Sequence, residues 1–338
     1  MAATPRANTP YAALIPAGEG AEERSASLPM QRRGWGPTTT HTHAPLGARG
    51  TAMTNVALFG AGGKMGTRIA AKLVADGGYA VAAVETSETG RDRIRAATGL
   101  EAVTPEVAMA AAEVVVLAVP DRAIGAVMRG IIDLAQPGTA FIVLDAAAPH
   151  AGEMPERADV TYFCTHPCHP PLWGFETDPL PGRDYFGGVR APQGIVCALI
   201  QGPEAHYAVC EAIARVAFAP VARAHRCTLE QIAILEPALS ETVGATFAMA
   251  LREATEKAIG MGVDREAAVD FILGHLNIEL AVAFEMFPGG RFSDGAYHAI
   301  AQAKKQIFQE GWLDKVFNHD AITQSVREIV NPPAAPSR

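Results

Sequence analysis

The stretch NVALF, residues 55–59, runs directly into GAGGKMG, residues 60–66, and then into TRIAAKLVADGG, residues 67–78. An apolar strand, a glycine-rich turn and a helix in this order predict a parallel α/β unit. Glycines let backbone N–H groups approach a pyrophosphate at the helix N-terminus, where the helix dipole favours negative charge. The spacing is G-x-x-G-x-x-G and not strictly G-x-G-x-x-G, so the order of the elements supports the interpretation more than the motif does.

An acidic residue follows the next predicted strand at the distance expected of a ribose ligand. Glu85 lies 19 residues after Gly66 (85 − 66), close to the roughly 20 that dinucleotide sites show. A carboxylate there accepts hydrogen bonds from the ribose hydroxyls and repels a 2′-phosphate, so NAD is favoured over NADP, although Arg91 and Arg93 follow closely. The predicted cofactor-binding residues are Gly60, Gly63, Lys64, Met65, Gly66, Glu85 and Val119.

Composition excludes several classes of partner. The 338 residues are 49% hydrophobic and 19% charged, with a formal charge of −8, which disfavours binding to nucleic acid and to anionic membranes. Apolar runs end well before the roughly 20 residues that cross a bilayer. Five cysteines without a C-x-x-C pair indicate reduced thiols in the cytoplasm. A small-molecule substrate is the expected partner.

The chain divides into three predicted parts. Residues 1–52 lack any sustained period and are interpreted as a flexible leader, with a natural start at Met53 as a hypothesis. Residues 53–227 alternate strands and helices, which predicts a Rossmann-type doubly wound sheet. Residues 228–330 show helical periodicity only, and predict an all-α domain for substrate binding and dimerisation. Strands are predicted at 55–59, 79–84, 114–119, 139–144, 160–164, 194–201 and 219–225.

The segment CTHPCHPPLWG, residues 164–174, places two histidines in a proline-rich loop after a strand. Prolines restrict the loop, and an imidazole can bind a metal or exchange a proton near neutral pH. We therefore predict His166 and His169 as catalytic residues. A structural loop, or a closed zinc site of Cys164, His166, Cys168 and His169, are the alternatives.

Glu236 is the second unusual residue. It stands in an apolar row formed by Ile232, Leu239, Val243, Thr246 and Ala250. A buried carboxylate needs a cation, a metal or a substrate proton as its partner. Because Pro237 disfavours helical geometry at Glu236, the helix is expected to be kinked or newly started there. We predict Glu236 as catalytic and, with His166, as a metal ligand. Solvation of the carboxylate by an outward bend is the alternative.

Together these features resemble the β-hydroxyacid dehydrogenase and 6-phosphogluconate dehydrogenase superfamily over about residues 53–317. Glu253-Ala254 and Gly262-Val263-Asp264 match its later landmarks, which aligns Glu236 and Ser240 with the catalytic Lys and Asn of that superfamily. The loop at His166 also replaces its Gly-rich substrate loop. These departures make the chain similar to the phosphogluconate dehydrogenase-like branch that contains the D-apionate oxidoisomerases.

That resemblance implies NAD, a divalent metal and a branched sugar acid as ligands. It implies oxidation of D-apionate and a metal-assisted 1,2-migration that gives 3-oxo-isoapionate, in a homodimer. An NAD-dependent 3-hydroxy-acid or aldonate dehydrogenase, with His166 or His169 as base, is the enzymatic alternative. An NAD-sensing or interaction protein with a degenerate site is the alternative from another class.

Overall fold

The structure is a computed structural model that describes residues 53–169, 184–185 and 187–331. The predicted leader at residues 1–52 lies outside this range, as does the motif beyond His169. The strands are β1 (Thr54–Phe59), β2 (Tyr79–Val84), β3 (Val114–Leu117), β4 (Ala140–Val143), β5 (Thr161–Pro167), β6 (Gln193–Gln201) and β7 (Val221–Arg226). They form one sheet in the order β2-β1-β3-β4-β5-β6-β7.

Helices cover both faces of the sheet and continue after it. Between the strands lie α1 (Lys64–Asp76), α2 (Glu88–Thr98), α3 (Pro105–Met109), α4 (Asp121–Ile131), a 3-10 turn (Ile132–Leu134), α5 (Ala147–His150) and α6 (Ala205–Ala217). After β7 follow α7 (Leu229–Ala233), a π-helix (Ile234–Ala245), α8 (Thr246–Gly260), α9 (Arg265–Ala283), α10 (Asp294–Ile307), α11 (Trp312–Val316) and α12 (His319–Val330). The predicted fold class, a Rossmann-type sheet followed by helices, is confirmed.

The central strands are apolar on both faces because each face carries a core. Side chains of β1 alternate between the two, with Val56 and Leu58 in one cluster and Ala57 and Phe59 in the other. Complete burial of a large apolar side chain such as Leu58 contributes roughly 1.5–3 kcal/mol. The two cores thus fix the register of the parallel strands, and with it the position of every residue at their carboxyl ends.

Strand direction could not be predicted from the apolar pattern. Strands β1 to β5 are parallel, whereas β6 runs antiparallel to β5 and parallel to β7. Burial on both faces makes a strand apolar whichever way it runs, so composition does not report direction. The expectation that the last two strands extend the same sheet is confirmed.

Strand β5 extends further than predicted. The loop was expected to begin at His166, but His166 and Pro167 belong to the strand and pair with Val196 and Ile195. Pro167 is tolerated because β4 pairs with β5 only as far as Cys164, so this end of β5 is an edge on that side. His166 is therefore held by a sheet and not by a loop.

The apolar row from Ile232 to Ala250 was expected to face the core, and this prediction is wrong beyond Ile232. Ile232 is fully buried, but Leu239 is 47% exposed and Thr246 and Ala250 are also exposed. The π-helix, which contains Pro237, changes the spacing from the 3.6 residues per turn on which the prediction relied. The expected irregularity at Glu236 is thus present, and it changes which side chains face the core.

A third, smaller core attaches the π-helix to the sheet. Its buried members are Ala147, Ala233, Ala238, Ile322, Val326 and Val330. These residues bring α5, the π-helix and α12 together, so the turn after β4 and the segment around Glu236 become neighbours. No helix in the described part of the chain is long and apolar enough to span a membrane.

Candidate functional site

The glycine turn lies at the point where the strand order reverses. Strand β1 pairs with β2 on one side and β3 on the other, and ligands of open α/β sheets bind at the carboxyl ends of such strands. Gly60 has φ +75°, and a Cβ there would lie 2.5 Å from the carbonyl oxygen of Ala118 and 2.9 Å from Cγ1 of Val119. At Gly66, a Cβ would lie 2.1 Å from the carbonyl oxygen of Gly60. Only glycine fits at either position.

Helix α1 begins at Lys64 directly after this turn. Its N-cap is Gly63, and no side chain caps it. The first N–H groups of a helix have no partner within the helix, so they remain available to an anion. Gly60, Gly63, Lys64, Met65 and Gly66 therefore surround the helix end where a pyrophosphate is expected, and Val119 adjoins the turn.

Glu85 links the glycine turn to the start of α2. Its Oε2 accepts a hydrogen bond from the Gly62 N–H at 2.9 Å, and its Oε1 accepts from the N–H and Oγ of Ser87, each at 2.9 Å. Burial raises the pKa of Glu85, but the hydrogen bonds from Ser87 and Gly62 outweigh it and lower the pKa overall. The carboxylate is thus charged, and it fixes the glycine turn to the start of α2.

The two neighbouring arginines are bound to backbone carbonyl groups. Arg91 donates from Nε to the carbonyl of Glu85 and from Nη2 to that of Thr86. Arg93 donates to the carbonyl oxygen of Gly62. Both guanidinium groups therefore hold the β2–α2 connection and the glycine turn.

A second cluster lies where β4, β5 and the π-helix meet. Ligand atoms of Asp145, His166 and Glu236 all lie within 4.8 Å of one another. Asp145 follows β4, and its Oδ1 accepts from the Ala147 N–H at 2.7 Å at the start of α5. The sheet fixes His166, and the third core fixes the helix of Glu236. Three separate elements thus deliver one histidine and two carboxylates to one point.

The hydrogen bonds of His166 define its tautomer. Nδ1 lies 3.0 Å from the carbonyl oxygen of Leu144 and 3.3 Å from Oδ2 of Asp145. A carbonyl oxygen can only accept, so Nδ1 carries the proton and Nε2 presents a lone pair when the ring is neutral. Burial lowers the pKa of His166, but the hydrogen bond to Asp145 and its charge raise it overall.

Negative charge is concentrated around this imidazole. Burial and the charge of Asp145 raise the pKa of Glu236 to about 7 and that of Asp121 to about 6. Burial and the charge of Asp145 also raise the pKa of Glu241, which is exposed but close enough to interact with the site. Four carboxylates compete for one imidazolium.

This donor set fits a divalent cation. Two carboxylates and one imidazole offer oxygen and nitrogen ligands on rigid elements, and a cation would neutralise the repulsion that burial intensifies. Carboxylate oxygens favour a hard ion such as calcium or magnesium, and the imidazole also suits manganese or zinc. The residues present therefore fit a bound metal.

His169 lies beside the cluster but is not part of it. Its ring centroid is 6.2 Å from that of His166, and its backbone adopts φ +57°. The alternative of a closed zinc site is not supported. Cys164 is fully buried in the core, and Asp145, His166 and Glu236 are the one group of three such ligands that the described residues bring together.

Sequence reasoning missed Asp145 and Asp121. Each follows the carboxyl end of a strand, β4 or β3, where a parallel sheet collects its functional groups. Asp145 directly follows the strand predicted at 139–144, and this position is the signal that could have identified it. Ser240, aligned with the Asn of the superfamily, is exposed and is not in the cluster.

Comparisons with known proteins show which family the chain belongs to. A family model for the phosphogluconate dehydrogenase (decarboxylating) C-terminal region matches residues 175–330, and one for coenzyme F420-dependent NADP oxidoreductases matches residues 55–149. The chain is 48% identical over 274 residues to a D-apionate oxidoisomerase of Cupriavidus necator, covering 81% of this chain and 98% of that protein. It is 48% identical over 277 residues to one of Rhizobium rhizogenes, covering 82% and 100%.

A solved structure of an NAD-binding protein is also similar to this chain. A Cupriavidus necator protein described as a semialdehyde dehydrogenase NAD-binding protein, in complex with calcium and NAD, superposes with a TM-score of 0.80. It is 47% identical and covers 82% of this chain and 100% of its own. The chain is therefore an oxidoreductase with a dinucleotide-binding fold.

Cofactor preference should depend on Glu85. We expect the wild-type protein to prefer NAD over NADP by at least about tenfold in kcat/KM, because the carboxylate repels a 2′-phosphate. Glu85→Ala should narrow this ratio and also raise KM for NAD, since the Gly62 N–H loses its acceptor. Steady-state kinetics with both cofactors tests this, with Glu88→Ala, an exposed acid on α2, as the control. A wild-type preference for NADP would refute the assignment.

Proposed function

Because the chain belongs to the D-apionate oxidoisomerase family, we propose that Asp145, His166 and Glu236 form the cation-binding and substrate-binding site of an NAD-dependent oxidoisomerase. The observation that carries this proposal is the convergence of these three side chains at the edge of the sheet that also holds the glycine turn. The relative solved with calcium and NAD supports the same pair of ligands.

The reaction has an oxidative step and a rearrangement. Oxidation at C2 of D-apionate transfers a hydride to NAD and releases the hydroxyl proton, which gives a 2-oxo acid beside a tertiary alcohol. A hydroxymethyl group then migrates from C3 to C2 with its bonding electrons. C3 becomes the ketone, the oxygen on C2 gains the proton that the C3 hydroxyl loses, and the product is 3-oxo-isoapionate. The second step is redox-neutral, so one NAD is consumed per turnover.

The chain's own residues hold the substrate and move its protons. Asp145, His166 and Glu236 would hold the cation. When bound, a divalent cation supplies positive charge that polarises a carbonyl and lowers the pKa of a neighbouring hydroxyl. His169, beside His166, is placed to exchange the proton of the substrate hydroxyl. Glu236 is aligned with the superfamily's catalytic Lys. A carboxylate, which attracts a cation, thus replaces an ammonium group, which repels one.

The product distinguishes this proposal from a plain hydroxy-acid or aldonate dehydrogenase. We expect the purified protein with D-apionate, NAD and calcium to form NADH and a product with a rearranged carbon skeleton. Carbon NMR of the product measures this directly, because the two hydroxymethyl carbons are equivalent in the unrearranged 2-oxo acid, whereas after migration one is bonded to the tertiary alcohol carbon C2 and the other to the C3 ketone. NADH formation with an unrearranged or decarboxylated product would favour the simple dehydrogenase.

Metal affinity should depend on Glu236. Loss of a side chain that only orients a metal ligand costs about 10–100-fold in metal affinity, and Glu236→Gln removes a proposed ligand itself, so calcium should bind at least about 100-fold more weakly. Calorimetric titration with calcium measures this, and NAD affinity should stay unchanged because the glycine turn uses other strands. Glu253→Gln, on an exposed part of α8, is the control.

A second substitution separates metal binding from turnover. Glu236→Lys restores the residue type of the superfamily, so we expect it to lose both calcium binding and rearrangement, and any remaining activity to be simple oxidation. Full rearrangement by a metal-free Glu236→Lys protein would overturn the proposed role of Glu236 and move the chemistry to His169.

We further propose that the helices after residue 228 form a homodimer in the cytoplasm. Helices α8 and α10 bury none of their side chains within the chain, and α9 buries only Ala268 and Ala281. Helices need a covered apolar face for most of their stability. The exposed side chains at or after residue 271 include Phe271, Leu273, Ile278, Phe284 and Phe287. All five cysteines are free, as expected in a reducing compartment.

An acidic residue within this apolar surface should weaken the dimer. We expect Ile278→Asp to raise the dimer dissociation constant by roughly thirtyfold or more, the effect of losing an interface side chain worth about 2 kcal/mol. Sedimentation velocity over a concentration series measures this. Val107→Asp, which changes an exposed apolar residue on α3, should leave the dimer intact. A wild-type protein that sediments as a monomer would contradict the proposal.

A further inference from the structure

The π-helix changes which side chains share a face. Ile232 and Ala233 are buried, Pro237 and Ala238 are buried five residues later, and Val243 is the next residue that is not exposed. An α-helix, with 3.6 residues per turn, would repeat at steps of three and four. Hydrogen bonds from residue i to residue i+5 make residues five apart neighbours instead. The burial pattern therefore follows a five-residue repeat through this segment.

Two side chains favour this wider turn. Pro237 has no N–H, so it cannot donate to the carbonyl of Ala233, four residues earlier, as an α-helix requires. Thr242 donates from Oγ1 to the carbonyl oxygen of Pro237, five residues earlier, at 2.7 Å. In an α-helix, a threonine hydroxyl reaches the carbonyl three or four residues back. The hydrogen bond of Thr242 thus suits the π-helix and not the α-helix.

The five-residue repeat places Glu241 one turn after Glu236 on the same side of the helix. In an α-helix, residues five apart are about 140° apart around the axis, so Glu241 would point away from the cluster. The electrostatics agrees with the π-helical position. Burial and the charge of Asp145 raise the pKa of Glu241, and the charge of His166 lowers it. Glu241 is therefore turned toward the same groups as Glu236.

Glu241 lies beside the candidate cation site and not in it. Ligand atoms of Asp145, His166 and Glu236 all lie within 4.8 Å of one another. Among the described residues, Glu241 does not join this group. It is exposed, so an incoming substrate can reach it, and positive charge in the site would favour its ionised form. An ionised carboxylate only accepts hydrogen bonds, and each hydroxyl of a sugar acid can donate one.

We propose that Glu241 is a substrate-binding residue, which the π-helix holds one turn beyond Glu236 to accept a hydrogen bond from a hydroxyl of the sugar acid. The assignment rests on the proposed function, because it takes a polyhydroxy acid as the substrate. The hydroxyls on C2 and C3 of D-apionate take part in the reaction, so the hydroxymethyl groups on C3 are the ones that remain to donate. A hydrogen bond to one of them distinguishes it from the other before migration.

Kinetics of Glu241→Ala test this contact. A hydrogen bond to a charged group is lost, so KM for D-apionate should rise at least about tenfold, and Glu241→Gln should recover part of the loss because its amide oxygen still accepts. Calorimetric calcium affinity should change by less than about threefold, and KM for NAD should stay unchanged. Glu253→Ala, at an exposed acid on α8, is the control.

Two results of this experiment would overturn the assignment. An unchanged KM for D-apionate in Glu241→Ala would show that Glu241 does not touch the substrate. A loss of calcium affinity as large as that of Glu236→Gln would make Glu241 a ligand of the ion.

An acid moved by one residue tests the part played by the π-helix. The double variant Ser240→Glu/Glu241→Ala carries its carboxylate four residues after Glu236, where an α-helix would turn it toward the site and a π-helix would not. We expect its KM for D-apionate to remain as high as that of Glu241→Ala. Recovery of the wild-type KM by the double variant would overturn the proposed position.

Calcium titration without substrate separates this assignment from the proposed function. Glu241→Lys turns a positive charge toward the site, so calcium should bind at least about tenfold more weakly, whereas Ser240→Lys should change its affinity by less than about threefold. Equal effects, or the opposite order, would overturn the placement of Glu241 whatever the substrate is. If the wild type oxidises D-apionate without rearrangement, or oxidises another aldonate instead, the proposed function fails. The effect of Glu241→Ala on KM for the acid that is oxidised then still decides the contact.

Discussion

Electrostatic repulsion among carboxylates is the constraint on which the site depends. Folding brings Asp121, Asp145 and Glu236 around His166, and burial together with the charge of Asp145 raises the pKa of Asp121 and of Glu236. Such an arrangement opposes folding unless other contacts hold it. The third core, with Ala238 and Val326 among its members, supplies those contacts by attaching the π-helix to α5 and α12. Apolar packing thus holds these acidic groups together against their mutual repulsion, which protons or a bound cation would relieve.

The two halves of the site use different strands of one sheet. The glycine turn and Glu85 follow β1 and β2, and the acidic cluster follows β4 and β5, with β3 between them. Because the strands are parallel here, all these groups lie at the same edge. A nicotinamide that extends from the turn toward β4 would approach a substrate held at the cluster. Side chains of the acidic cluster can therefore change without disturbing the backbone of the glycine turn, and the reverse also holds.

Local signals in the sequence identified the fold, the glycine turn, His166 and Glu236. Each of these stands out from its neighbours, as a carboxylate in an apolar row or an imidazole among prolines. Asp145 has no such contrast, and its role depends on β4 and β5 being adjacent, which is a property of the sheet. The predicted inward position of Leu239 was wrong because a π-helix replaces the 3.6-residue turn, and helix type there depends on tertiary packing. The antiparallel direction of β6 was equally inaccessible, since apolar composition reports burial and not direction.

Under the proposed function, Glu236 in the position of the superfamily's Lys would account for rearrangement in place of simple oxidation. A neutral lysine amine can accept one proton and its ammonium form can return it, which is enough for a hydroxyl that becomes a ketone. A migration needs positive charge across two neighbouring oxygens at once, because one becomes an alkoxide as the other becomes a carbonyl. A divalent cation would be held at one point by Asp145, His166 and Glu236. The repulsion between the two carboxylates makes the folded protein favour binding of that cation. Cation binding and stability of the π-helix are thus linked, since any ligand that binds only the folded chain stabilises it.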